Sequence, residues 1–209
     1  MKILELIIDE DAEVFGIEAL SLVEFPAIES DWVALKESKG KVKVQFTEVD
    51  NDKRILMGAA LIPDKPIYRR DAEDEEYYVY FSKSTVRQCM EMFFAYGNQN
   101  NATLEHEHSL RGLSVVESWI VEDKDKDKTS VYGLDVPVGT WMVSVKVNND
   151  AIWNEWVKEG KVKGFSIEGF FVDRMEVEKK EPITEAKQQE LMAEMTILCS
   201  LISDLKKKS

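Results

Sequence analysis

Histidine and cysteine are nearly missing from this chain, with two of each in 209 residues. Cys89 and Cys199 stand alone in apolar surroundings, which argues against a disulfide framework and for reduced thiols in a cytoplasmic compartment. No run approaches the roughly 18–20 apolar residues that a membrane helix needs, so no membrane partner is expected. The first stretch, "MKILELIIDEDAEVFG", turns acidic after "LII", unlike a secretory signal. A basic excess is missing as well. The formal charge of -13 argues against nucleic acid as the main partner, because phosphate binding needs a basic face, and "KVKVQF" and the terminal "KKK" are too short to supply one. What is present is a hydrophobic content of 44% with five Trp and nine Phe, enough to pack one good-sized domain or a domain with an appendage.

Residues 1–40 combine a strand-like "ILELII" with "GIEALSLVEFPAIESDWVALKE", whose mixed pattern and Pro26 read as an N-terminal arm. From there to about residue 178 runs the main domain. "KVKVQF" alternates as a half-buried strand, and "RILMGAALI" reads as a fully buried one ending at Pro63. "DKPIYRRDAEDEE" reads as a charged loop, and "YYVYF" as a strand of β-formers. The period then becomes helical through Val86, Cys89, Met90, Phe93 and Phe94, with Ser82 to cap the start and Gly97 to end it. Strands are expected at "ATLEHEH", "LSVVESWIV", "TWMVSVKV" and "VKGFSIEGFFV", with a short helix at "NNDAIWNEWVKEG". The class is therefore α+β: a mainly antiparallel sheet or barrel with two or three helices.

The loop "DKDKDKTSVYGLD" imitates the opening of a calcium loop with Asp123, Asp125 and Asp127. Lys128 stands where the turn glycine belongs, and Leu134 where the bidentate glutamate belongs, so a solvated loop is expected instead.

Two stretches carry chemistry. In "KGFSIEGFF", Gly164 and Gly169 bracket Ser166 among Phe165, Ile167, Phe170 and Phe171. Glycines let a substrate backbone approach closely and leave a backbone N–H free as an oxyanion donor. A serine hydroxyl needs a base to act as a nucleophile, and only His106 and His108, both within "LEHEH", could supply an imidazole. The histidines also admit a plain reading as a solvated strand end. A third reading is a metal site, since a strand would project both from one face and Glu117 would complete a two-histidine, one-carboxylate set.

"LEHEHSLRGLSVVESWIVED" followed by "GFSIEGFF" resembles the prohead (capsid maturation) serine proteases of tailed phages, most closely their XkdF-like branch. "GIEALSLVEFPAIESDWVAL" resembles the same branch, and the likeness covers about residues 1–175. The family order is a histidine at a strand end, in a His-acid or His-Pro pair, and then a Gly-x-Ser strand. Herpesvirus assemblins show the same order, so the resemblance implies an assemblin-like fold. It places Ser166 on the nucleophile and His106 on the base, because "EHE" matches the His-acid position, and it leaves His108 without a counterpart. For the third member, Glu117 in "VVESW" is expected, since related enzymes carry a polar side chain on that strand. Glu168 shares the strand face of Ser166 but stands too near it along the chain to orient the imidazole. The implied activity is that of a serine endopeptidase without a cofactor. It would cleave scaffold and major capsid proteins, and itself, inside the assembling prohead in the host cytoplasm. The alternative is a capsid-assembly module that keeps the fold and only binds.

After "EKKEPIT" the chain changes character. Residues 182–209 favour helix throughout, and Leu191, Met195, Leu198, Ile202 and Leu205 are spaced four, three, four, three, the rhythm of a coiled-coil seam. A C-terminal helix is expected; it can pack back onto its own domain, and the favoured reading is a detachable helix that joins copies of the chain or docks on a helical scaffold protein.

Overall fold

The computed structural model describes residues 2–9, 16–27, 33–36, 52–71 and 74–174. The tail at 182–209 and the expected strand "KVKVQF" lie outside the described residues. Among the described residues, twelve strands form three four-stranded sheets, and these do not close into a barrel. β1 (Lys2–Ile7) lies between β12 (Val172–Asp173) and β6 (Glu76–Phe81), and β5 (Ile67–Arg70) flanks β6. β4 (Asp52–Leu61) and β10 (Trp141–Val147) form the middle of a second sheet, edged by β3 (Val33–Lys36) and β9 (Leu113–Ile120). The third sheet runs β11 (Gly164–Phe170), β2 (Gly16–Val23), β7 (Ala102–Leu104), β8 (His108–Leu110). Pairing is antiparallel except at β1–β6 and β2–β7.

The sequence led to an arm at residues 1–40, yet β1 and β2 are interior strands of their sheets. Ile17, Leu20, Leu22 and Val23 are buried, so the "mixed" pattern of "GIEALSLV" is that of a strand covered on both faces. A second departure is β5, which emerges from the expected charged loop. It pairs with β6 through the aromatic and charged cross-strand partners Tyr68 with Tyr78 and Arg70 with Glu76.

The helices follow their sequence signals. In α1 (Lys83–Ala95), the Ser82 hydroxyl accepts from Thr85 N, and Gly97 takes a left-handed φ of 75° just past the end. Val86, Cys89 and Phe93 form its buried face, and Phe93 meets Trp141 of β10 edge to face at 5.5 Å. Burial pushes the Cys89 thiol up to about 12, so this cysteine is inert packing rather than a nucleophile. α2 (Lys128–Val131) starts at Asp127, and α3 (Ile152–Val157), a wide π-type turn, follows Asn149, whose side chain accepts from Ile152 N at 3.1 Å.

Gly169 is required by space. A Cβ there would lie 2.2 Å from the carbonyl oxygen of Gly16, where the β2–β11 register shifts between Glu168 and Gly169.

Candidate active site

The "EHE" stretch is a tight turn rather than a strand end. Glu105 and His106 both take left-handed backbone, with φ of 49° and 60°, and Glu107 N donates to Leu104 O at 3.0 Å across them. Positive φ at both central positions is the primed turn suited to a two-stranded hairpin, here β7–β8. Side chains at such positions cost on the order of 1–2 kcal/mol per residue, so neighbouring structure must hold them. β2 and the residue that follows it do so with three hydrogen bonds. Glu105 N donates to Leu22 O at 3.0 Å, His106 N to Ser21 Oγ at 3.0 Å, and Glu24 N to Glu105 Oε1 at 2.7 Å.

Register then brings the serine to the same place. Ser166 of β11 stands opposite Ser21 of β2, which in turn stands opposite Thr103 of β7. Directly paired residues share a sheet face, and so do residues two apart on one strand. Ser166, Ser21, Thr103 and Glu168 therefore occupy one face, while Phe165, Leu22 and Leu104 point to the core on the other.

Glu168 closes the group. Its Oε1 lies 3.0 Å from His106 Nδ1 and also accepts from the Thr103 hydroxyl. An ionised carboxylate can only accept, so this contact calls for the hydrogen on Nδ1 and leaves the Nε2 lone pair available as a base. The His106 side chain is 41% exposed and that of Glu168 28%, open enough for an incoming chain yet partly shielded from water. No hydrogen bond joins Ser166 Oγ to the imidazole among the described residues.

Glu117 is not part of this group. It sits on β9, where its Oε2 accepts from Lys128 Nζ and from Ser144 Oγ, each at 2.5 Å, and no ion pair or hydrogen bond among the described residues joins it to either histidine. The Lys128 ammonium, and then the Ser144 hydroxyl, hold its carboxyl below the usual range. Among the described residues, the carboxylate against the His106 imidazole is that of Glu168, and Glu117, expected to orient it, lies elsewhere. The strand neighbour judged too near the serine reaches sideways over β2 to the turn instead.

His108 is also apart. It lies on β8 opposite Leu104, with its ring 75% exposed and 3.8 Å from the Glu107 carboxylate, so the turn separates the two imidazoles that a strand would have aligned. Among the described residues no cluster of His, Cys, Asp and Glu could hold a metal ion. The Asp123–Asp127 loop is held by its own contacts. Asp127 caps α2 and accepts from the Trp119 indole at 3.0 Å, Asp123 pairs with Lys126 at 2.7 Å, and Lys128 lies 4.1 Å from the Trp119 ring centre.

Two hollows flank β11. A polar cleft of about 780 Å³ borders Glu168 and Thr103, with Asn101, Ser109 and Arg111 on its walls. A smaller pocket of about 240 Å³ includes Ser166 itself in its lining.

A serine, an imidazole and a carboxylate on one sheet face are the residue set of a serine hydrolase. The chain belongs to the family described as "Putative phage serine protease XkdF", whose model matches residues 41–176, more than half of the sequence. That membership supports a protease role for the chain. No curated protein and no solved structure matches the chain.

Proposed function

We propose that the protein is a serine endopeptidase of phage capsid maturation that uses Ser166 as nucleophile, His106 as base and Glu168 as the carboxylate that orients the base. The observation that carries this reading is the His106–Glu168 contact on the sheet face of Ser166, in a chain of a phage serine protease family. In the reaction, His106 Nε2 takes the Ser166 proton as Oγ attacks a peptide carbonyl. The proton passes to the leaving amine as the C–N bond breaks, and water, deprotonated by the same imidazole, then releases the acyl group and restores the serine. Backbone N–H groups beside Ser166 hold the oxyanion. The substrates are scaffold and major capsid proteins, and the protease chain itself, inside the assembling prohead in the host cytoplasm. The shared order of histidine and Gly-x-Ser supports kinship with herpesvirus assemblins.

A binding-only capsid-assembly module is the second reading, favoured by the missing Ser166–His106 hydrogen bond. Such bonds are often long without substrate and tighten in the reactive complex. Incubating the purified chain with its scaffold and capsid proteins decides between the two. Ser166→Ala and His106→Ala each abolish cleavage on the endopeptidase reading, and both stay folded by circular dichroism. Cleavage by the serine variant at the wild-type rate overturns that reading.

A further inference from the structure

The pocket of about 240 Å³ beside Ser166 is lined mostly by apolar residues, with backbone, Ser166 and Arg69 supplying a polar side. Its walls come from Leu6 of β1, Ala60 and Leu61 of β4, Ile67 of β5, Phe81 of β6 and Phe171 after β11. Ala60, Leu61, Ile67 and Phe81 are buried core residues, and Phe81 and Phe171 meet edge to face at 4.9 Å, so most of the wall is fixed by packing. The one charged neighbour is Arg69, exposed, whose Nη1 donates to the Tyr68 carbonyl at 2.9 Å. An engineered apolar cavity of about 150 Å³ holds benzene, so this one has room for a leucine, methionine or phenylalanine side chain. β11 is the outermost strand of its sheet, paired with β2 alone among the described strands, and β4 packs alongside it at the pocket. Alternate side chains of an extended peptide point to one side, and one of them reaches the pocket while the backbone passes the serine.

We propose that this pocket selects an apolar side chain of the substrate next to the bond that is cut, which rests on Ser166 being the nucleophile. A fixed hydrophobic socket discriminates by about 10–200-fold per methylene-scale mismatch. Leu6 is the adjustable wall, because it is only partly buried and faces the cavity.

The test measures binding, by fluorescence polarisation, of hexapeptides that differ at one position (Leu, Phe, Ala, Glu or Lys) to Ser166→Ala protein, which cannot turn them over. At least ten-fold tighter binding of the Leu or Phe peptides than of the Glu and Lys peptides is expected. Adding Leu6→Trp should move the preference toward Ala, and adding Leu6→Ala toward Phe, each by about ten-fold, so a fold defect in one variant leaves the other informative. Equal binding of all peptides, no binding, or a preference for Glu would overturn the pocket assignment. Labelling of wild-type Ser166 by a small fluorophosphonate checks the nucleophile separately. Failure to label, with the peptide preference intact, would count against the serine mechanism and not against the pocket.

Discussion

The backbone N–H of His106 donates to the hydroxyl of Ser21, across 85 residues of sequence. Ser21 is fully buried and sits directly opposite Ser166, so one small side chain ties the turn that carries the imidazole to the strand row that carries the serine. Ser21 is a positioning residue in this arrangement.

Ser21→Ala strands a backbone donor in a part-buried site, at about 1–3 kcal/mol, and frees a turn with two left-handed residues. Hydrogen exchange at the His106 amide should speed up, and kcat should fall on the order of 10²-fold, as a misplacement of about 1 Å can produce. KM should change little. Unchanged exchange at that amide would show that the hydroxyl does not hold the turn.

The two carboxylates are separated by paired substitutions. Glu168→Gln leaves the imidazole without its ionised acceptor and should lower kcat by as much as ~10⁴-fold, the scale of an amide replacing a triad carboxylate. Glu117→Gln should leave kcat alone and touch acid stability instead. Because Lys128 and Ser144 depress the Glu117 pKa, its stabilisation is complete above the unfolded value of about 4.3 and is lost as pH falls through the lower folded value. Half the side chain is exposed, which keeps the effect small. Melting curves from neutral pH down to pH 3 should converge for wild type and variant at the acid end; the opposite pattern of kcat losses would reinstate Glu117.

Gly169→Ala should weaken the fold at the site itself. The added methyl would press on the Gly16 carbonyl at the bulge beside Glu168, a close-packing conflict of about 1–3 kcal/mol or more. Calorimetry should show a lower Tm, and cleavage should fall with it; a variant with wild-type Tm would mean the strands part there without cost.

Most strands and the main helix were legible because their periods are clean, as in the helical spacing of Val86, Cys89 and Phe93 and the cap at Ser82. "GIEALSLV" was not, since a strand buried on both faces shows no alternation. Ser166 and His106 stood out by setting and scarcity. Glu168 was visible as a same-face neighbour of Ser166, but its reach to His106 depends on a left-handed turn at Glu105 and His106, residues that carry no glycine to announce it. Ser21 gave one faint signal, a hydroxyl in an otherwise apolar run.

The tail expectation awaits its own experiment. If Leu191, Met195, Leu198, Ile202 and Leu205 form a pairing seam, deleting residues 182–209 should leave cleavage of a short peptide unchanged and lower the mass seen by light scattering. Equal masses for the two proteins across a concentration series, with scaffold capture also unchanged, would remove that role.

Because Ser166 and Glu168 both ride on β11, a nascent chain exposes His106 well before either partner exists. At synthesis rates of about 5–20 residues per second, the 62 residues from His106 to Glu168 take roughly 3–12 s. Only then can β11 zip onto β2, a pairing between the two ends of the sheet-forming chain that is slow by its topology. On the Ser166–His106–Glu168 reading, a half-made polypeptide therefore lacks its site, and the timing of its competence is written into strand order.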